Sequence, residues 1–320
     1  MYGTFPRPRP RARSLALVAA LLSLLLALTG CAGASSGQSA TPSSGKTGSA
    51  SYPVTVTGDK GTLTLDAEPE HIVSMSATAT EMLFAIGAGK QVTAVDSTSD
   101  YPADAPKTKL SAFSPNAEAI VNYHPDLVVL SDDMNGIVAA LGKLKVPTLL
   151  LGAAATLDDS YRQLETLGRA TGHSGKAAGV VADMRQRIKD AVASVPASAK
   201  GMKVYHEVDQ TYYSLTSSTF VGSIYSMFGL KNIADGAKDA GSGYPQLSAE
   251  YVVAQAPDLI VLADTKCCGQ TPETLAKRPA FATVPAVKDH RVLAVDDDVA
   301  SRWGPRIADF AEAVAKELRG

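Results

Sequence analysis

Residues 116–132 read N-A-E-A-I-V-N-Y-H-P-D-L-V-V-L-S-D, and residues 248–264 read S-A-E-Y-V-V-A-Q-A-P-D-L-I-V-L-A-D, so the stretch returns without a gap 132 positions later. Each copy predicts a short helix, a proline turn and a buried strand. Asn116 and Ser248 are both good N-caps, because a side-chain oxygen there accepts from the free amides of the first turn. Glu118 and Glu250 then occupy the second helical position in each copy. A unit repeated at this distance predicts two equivalent halves with approximate internal two-fold character.

Working outward, short apolar runs alternate with helical patterns. Val54, Val56, Leu63 and Leu65 flank Gly58-Asp59-Lys60-Gly61 and predict a β-hairpin. Strands are expected at 72–75, 92–95, 127–130, 148–151, 203–207, 259–262 and 292–295. Helices are expected at 80–86, 117–122, 158–171, 175–195 and 307–318. Strands separated by helices predict parallel α/β structure. The exception is the middle of the chain, where two long helical stretches follow each other with no strand between. The second carries Val180, Val181, Met184, Ile188, Val192 and Val195, mostly at helical spacing, and Pro196 closes it.

The first thirty residues stand apart. Arg7, Arg9, Arg11 and Arg13 precede the apolar run Leu15 to Leu28, which is shorter than the roughly 20 residues of a membrane span. Leu28-Thr29-Gly30-Cys31 follows at once. A basic start, a short apolar stretch and small residues before the cut define an export signal. With cysteine next, the junction resembles a bacterial lipobox, which implies lipidation of Cys31 and an extracytoplasmic protein anchored to the cell membrane through lipid. Ala32 to Ala50 is nearly all Ala, Gly, Ser, Thr and Pro and cannot bury enough apolar surface to order itself. As a flexible leash it spans on the order of 25 Å. Loss of residues 1–30 removes four arginines and leaves 26 basic against 32 acidic residues. That balance gives no basic surface for nucleic acid.

The remaining residues resemble a known family, the iron-siderophore and cobalamin class of ABC-importer substrate-binding proteins. The resemblance runs from about Tyr52 to the C-terminus. It rests on His71-Ile72-Val73-Ser74, Ala79-Thr80-Glu81 and Gly87-Ala88-Gly89, on Asn116 to Leu130, on Thr219 to Asp235 and on Ser248 to Leu262. It implies an α/β fold of two Rossmann-like lobes with parallel sheets, joined by one long rigid backbone helix, with the ligand cleft between them. The expected division is a signal over 1–30, a tether over 31–51, an N-terminal lobe over 52–157, linking helices over 158–198 and a C-terminal lobe over 199–320. The resemblance further implies a cobalt or iron chelate as cargo, no resident cofactor, a monomer, and a permease dimer that docks on Glu118 and Glu250. The plainer role of these two acids is to meet the positive end of their own helices.

In open α/β sheets ligands bind beyond the carboxyl ends of the strands. That rule selects Ser76, Thr78, Phe113, Asp133 and Met134 from the first half. From the second it selects Tyr212, Tyr213, Phe220, Tyr244, Lys266, Arg302, Trp303 and Arg306. Aromatic rings there can stack on a large flat ligand while their polar tips hold its edges. Arg306 is expected to hold a ligand carboxylate or amide, or to pair with Asp309 one turn on. Cys267 and Cys268, outside the reducing cytoplasm, are expected to form a vicinal disulfide. The five histidines form no ligand-spaced pair, and Asp296-Asp297-Asp298 reads as a solvated strand end, so no metal site is expected. No G-x-S-x-G, Walker A or G-x-G-x-x-G motif recommends an enzyme. Of the ligands, an aromatic and mostly neutral cleft suits cobalamin or a hydroxamate siderophore better than a tricatecholate. Haem, or sensing and scavenging without an importer, are the alternatives.

Overall fold

The computed structural model describes residues 51–320. The signal, the lipidation cysteine Cys31 and the tether as far as residue 50 lie outside the described residues. Among those described, no helix is long and apolar enough to cross a membrane.

The chain opens with an antiparallel hairpin of β1 (Val54–Gly58) and β2 (Gly61–Leu65), in which Gly58 pairs with Gly61 across a two-residue turn. The first half follows: β3 (Ile72–Met75), α1 (Ala77–Ala85), β4 (Val92–Val95), α2 (Ala117–Val121), β5 (Leu127–Leu130), α3 (Ile137–Lys143) and β6 (Thr148–Leu150). Two long helices, α4 (Leu157–Ala170) and α5 (Ser174–Ala193), then lead into the second half. There β7 (Lys203–Glu207), α6 (Phe220–Met227), β8 (Lys231–Asn232), α7 (Ala249–Gln255), β9 (Leu259–Leu262), α8 (Thr265–Cys268), α9 (Pro272–Ala276), α10 (Pro285–Lys288), β10 (Val292–Ala294), α11 (Asp297–Ser301) and α12 (Ile307–Arg319) complete the chain.

Each half holds one four-stranded parallel sheet, in the order β4-β3-β5-β6 and β8-β7-β9-β10. The strand orders are the same once β7 is matched to β3, as the sequence repeat requires. The match extends to single bonds. The Asp126 carboxylate accepts from the His71 amide at 3.0 Å, and Asp126 N–H returns to His71 O at 3.0 Å. In the second half the Asp258 carboxylate accepts from Lys203 N–H and Asp258 N–H donates to Lys203 O, both at 2.8 Å. His124 and Ala256, at matched positions after the two repeated helices, share the left-handed backbone at φ 50° and 49°. The proline turn is therefore closed in both copies by the residues that recur.

Both faces of each sheet are covered, which is why the strands read as continuous apolar runs. Ile72, Leu127, Val129, Val204, Leu259 and Val261 face a core shared by both halves, filled by α1, α4, α5, α6 and α12. Val73, Val128 and Leu130 face a separate core under α2 and α3, and Tyr205, Ile260 and Leu262 face another with Phe281. Helix α5 buries Ala177, Val181, Met184, Ile188 and Ala191, alternating four- and three-residue steps along one stripe. Val180, Val192 and Val195, read from sequence as part of that stripe, lie at its partly buried margin.

Candidate functional site

Two concavities meet at the ends of the sheets. One, of about 320 Å³, is lined by Ser76, Thr78, Thr98, Phe113, Ser131, Asp132 and Met134, together with Ala77, Ala112, Ala153 and Trp303. The other, of about 310 Å³, is lined by His206, Val208, Leu215, Phe220, Val221, Tyr244 and Cys267, with Ala153, Ala154, Ala263, Asp297, Ala300, Ser301 and Trp303. Ala153 and Trp303 belong to both, so the two form one cleft with a wall from each half. Five of its lining residues lie one to three positions past the end of a strand: Ser76 after β3, Thr98 after β4, Ser131 after β5, Ala153 after β6 and Ala263 after β9. This is the carboxyl edge at which parallel sheets bind ligands.

Trp303 divides the cleft and is fixed in place. Its indole N–H donates to Gln163 Oε1 on α4 at 2.8 Å, and its carbonyl accepts from Ser160 Oγ at 2.5 Å. At the mouth Phe113 is 74% exposed and Tyr244 54% exposed.

Of the residues selected from sequence, Ser76, Thr78, Phe113, Met134, Phe220, Tyr244 and Trp303 line the cleft. Ser76 also caps α1, its Oγ accepting from Ala79 N–H. Tyr212 stands apart: its ring stacks on Phe281 at 6.2 Å under Arg278. Tyr213 bridges to Gln246 as an isolated β pair and lines neither concavity. Cys267 and Cys268 form a disulfide at the end of α8, and Cys267 faces the cleft.

The cations went elsewhere. Arg302 donates to Glu81 at 2.7 Å and to Asp298 at 2.6 Å, and it also reaches Asp100. Arg306 donates through Nε and Nη2 to both oxygens of Glu81, at 2.9 and 2.5 Å, and does not pair with Asp309. Asp309 belongs instead to Arg187 on α5. Lys266 is shared between Asp100 and Asp298. Sequence spacing put Arg306 next to Asp309, but folding brings Glu81 from 225 residues away. Asp296-Asp297-Asp298 is likewise no strand end. Asp296 caps α11, Asp297 accepts from the backbone amides of Lys266 and Cys267 at the start of α8, and Asp298 pairs with Arg302. Among the described residues no lysine or arginine lines the cleft, while Asp132 and Asp297 do. Among the described residues no group of three or more His, Cys, Asp or Glu side chains is placed to hold a metal ion.

A separate concavity, of about 520 Å³, is lined by Glu81, Phe84, Tyr101, Arg187, Arg306 and Asp309 among others. Its arginines are paired with the acids just named and Arg306 stacks on Tyr101 at 4.1 Å, so little of its chemistry is left for a ligand.

Sequence reasoning passed over Ala112, Ser131, Ala153, Ala154, Val208, Leu215 and Ala300, because small and apolar residues carry no chemical signature. For Ser131, Ala153, Ala154 and Val208 the signal available was their position just past a strand end. His206, on β7, also lines the cleft. It is 1% exposed, its Nδ1 lies 2.7 Å from Tyr225 Oη, and burial lowers its pKa to about 3, so the ring stays neutral.

Next to the cleft, Asp264 is fully buried and neither of its carboxylate oxygens accepts a hydrogen bond. It faces Glu207, which Arg278 grips at 2.5 and 2.7 Å and Tyr205 Oη reaches at 3.0 Å. Burial first, and then the charge of Glu207, push the Asp264 carboxyl up to about 7. The folded state thus binds this proton more tightly than the unfolded chain. The group destabilises the fold above that value, and the penalty fades as pH falls toward the ordinary carboxylate range near 4. Asp264→Asn is expected to raise Tm at about pH 8 and to raise it less at about pH 5, read by thermal denaturation across pH. An equal gain at both pH values would remove this titration from the account.

The family model of the periplasmic binding proteins matches residues 72–299 of this chain. The chain belongs to the periplasmic binding protein family. An ABC transporter substrate-binding lipoprotein of Bacillus subtilis, YvrC, is 29% identical over 306 residues, covering 92% of this chain and 95% of its own. A vitamin B12-binding protein of Pectobacterium carotovorum is 30% identical over 265 residues, covering 79% of this chain and 89% of its own. The crystal structure of the periplasmic vitamin B12 binding protein of Vibrio cholerae superposes with a TM-score of 0.65 at 25% identity, over 79% of this chain and 98% of that one. Periplasmic binding proteins of this kind are extracytoplasmic substrate-binding components of transport, not enzymes.

Proposed function

We propose that this chain is the lipid-anchored substrate-binding component of an ABC importer, tethered through Cys31, and that it carries cobalamin. The carrying observation is the charge of the cleft. It offers aromatic and apolar walls, two carboxylates and, among the described residues, no lysine or arginine. A ferric tricatecholate, with about three negative charges, needs arginines to hold it, and here Arg302 and Arg306 are occupied by Glu81. A corrinoid with neutral amide side chains meets no such demand. Its flat ring suits stacking on Trp303, Phe113 and Tyr244. The vitamin B12-binding relatives support the same ligand. A ferric hydroxamate fits the same charge and is the second reading.

Titration of the purified full chain with cyanocobalamin, a ferric hydroxamate, a ferric tricatecholate and haemin tests this. Trp303 is the sole tryptophan, so its fluorescence reports from the middle of the cleft. Calorimetry guards against absorption by the ligands. Cyanocobalamin is expected to saturate with a Kd of about 1 μM or tighter, roughly 8 kcal/mol or more. Preference for the tricatecholate or haemin would overturn the charge argument.

A further inference from the structure

We infer that His206 Nε2–H is a built hydrogen-bond donor on the floor of the cleft, and that it takes an amide-type carbonyl oxygen of the ligand. The inference rests on the cobalamin or hydroxamate reading above for its ligand class.

The geometry comes from β7. Successive side chains alternate faces, so Tyr205 enters the outer core while His206 turns toward the core shared by the halves. There the imidazole packs against two aromatic residues, Tyr225 and Phe310. Its edge meets the Tyr225 ring at 5.9 Å and the Phe310 ring at 6.5 Å, and its Nδ1 lies 2.7 Å from Tyr225 Oη.

The tautomer follows from what Tyr225 can do. Tyr225 is fully buried on α6, and among the described residues its hydroxyl has no polar neighbour within hydrogen-bond reach except His206 Nδ1. A buried hydroxyl donates where it can. Nδ1 therefore accepts, and the ring proton sits on Nε2. That second nitrogen has no protein partner among the described residues, yet the residue lines the cleft. With Nδ1 turned to Tyr225, Nε2 is the nitrogen left to face it.

The surroundings define the acceptor. Val208, Leu215, Phe220, Val221 and Ala300 make the neighbouring wall apolar. One fixed donor in such a wall orients a neutral oxygen without demanding a charge. The ring stays neutral, so it supplies no countercharge for a carboxylate. Amide side chains of a corrinoid and hydroxamate carbonyls both present the required atom.

The test uses the full chain in detergent. Long-range proton–nitrogen NMR on the histidine-labelled chain reads the tautomer without any ligand: Nε2–H is expected, and an Nδ1–H signal would overturn the inference. Calorimetry with cyanocobalamin and a ferric hydroxamate then compares variants whose folding is checked by near-UV circular dichroism. His206→Leu is expected to lose about tenfold in affinity, the equivalent of one net hydrogen bond. His206→Gln, which returns an N–H donor near the same place, is expected to stay within about threefold of the parent. Equal binding by the leucine and parent proteins would sink the donor role and leave the cobalamin reading standing. Failure of the parent to bind either ligand would sink that reading and the ligand class inferred here with it. Aquocobalamin adds one more arm: a histidine-dependent change in its visible spectrum would assign a cobalt–nitrogen bond and replace the hydrogen bond.

Discussion

Reversing two charges, Glu118→Arg together with Glu250→Arg, will abolish uptake of the ligand in cells and leave its affinity for the purified protein unchanged. Both acids lie in the first turn of their helices, are exposed, and make no ion pair among the described residues. They stand at matched positions of the repeat, before β5 and β9, whose neighbours in the two sheets also correspond. A receptor built from two related subunits can meet such a pair with the same surface twice. Rim charges of this kind govern encounter and register, and juxtaposed like charges cost several kcal/mol per contact. Uptake should fall by about a hundredfold or more in the double variant and less in either single one.

The competing role is local. An acid in the first turn stabilises its helix by about 0.3–1 kcal/mol, and its own backbone amide and Ser248 lower the pKa of Glu250. If that were the whole role, Glu118→Gln with Glu250→Gln would cost stability and spare uptake. Transport assays in cells lacking the native protein, with calorimetry on the same variants, separate the two. Uptake surviving the double arginine change would end the docking proposal.

How much of this was legible beforehand depended on whether neighbours in sequence carried the information. The seven principal strands, the hairpin and the long α5 were legible because burial on both sheet faces leaves an unbroken apolar run, and because a repeated unit calibrates itself. Helices α8 to α11 were not, since four- and five-residue helices are held by caps and by tertiary contacts such as Asp297 with α8. The cleft's location was legible from the strand ends. Its electrostatics were not. Arg302 and Arg306 looked available because Glu81 lies more than 200 residues earlier in the chain. Tyr212 looked like cleft material, but its left-handed backbone, φ 69°, turns it onto Phe281.

Glu81→Ala will lower the stability of the folded chain by about 3–5 kcal/mol, the loss expected when one member of a buried ion cluster is removed. The Glu81 side chain is 2% exposed, and those of Arg302 and Arg306 are 11% and 16% exposed. Both carboxylate oxygens are occupied: Oε1 by Arg302 and Arg306, Oε2 by Arg306. Alanine would leave two guanidinium groups desolvated and short of acceptors. For a chain of this size Tm should fall by roughly 6–20 °C. The cluster also ties α1 in the first half to the loop between α11 and α12 in the second, beside Trp303. Glu81→Ala is therefore expected to disturb the cleft as well, and Glu81→Gln, which keeps shape and one acceptor, to cost less on both counts. If the ions matter as a pair rather than as isolated charges, adding Arg306→Met to Glu81→Ala should recover part of the loss, because the stranded cation is removed with its partner. A fall of less than about 1 kcal/mol for Glu81→Ala would mean that water reaches the arginines readily, and that the halves are held by the shared apolar core and α5 alone.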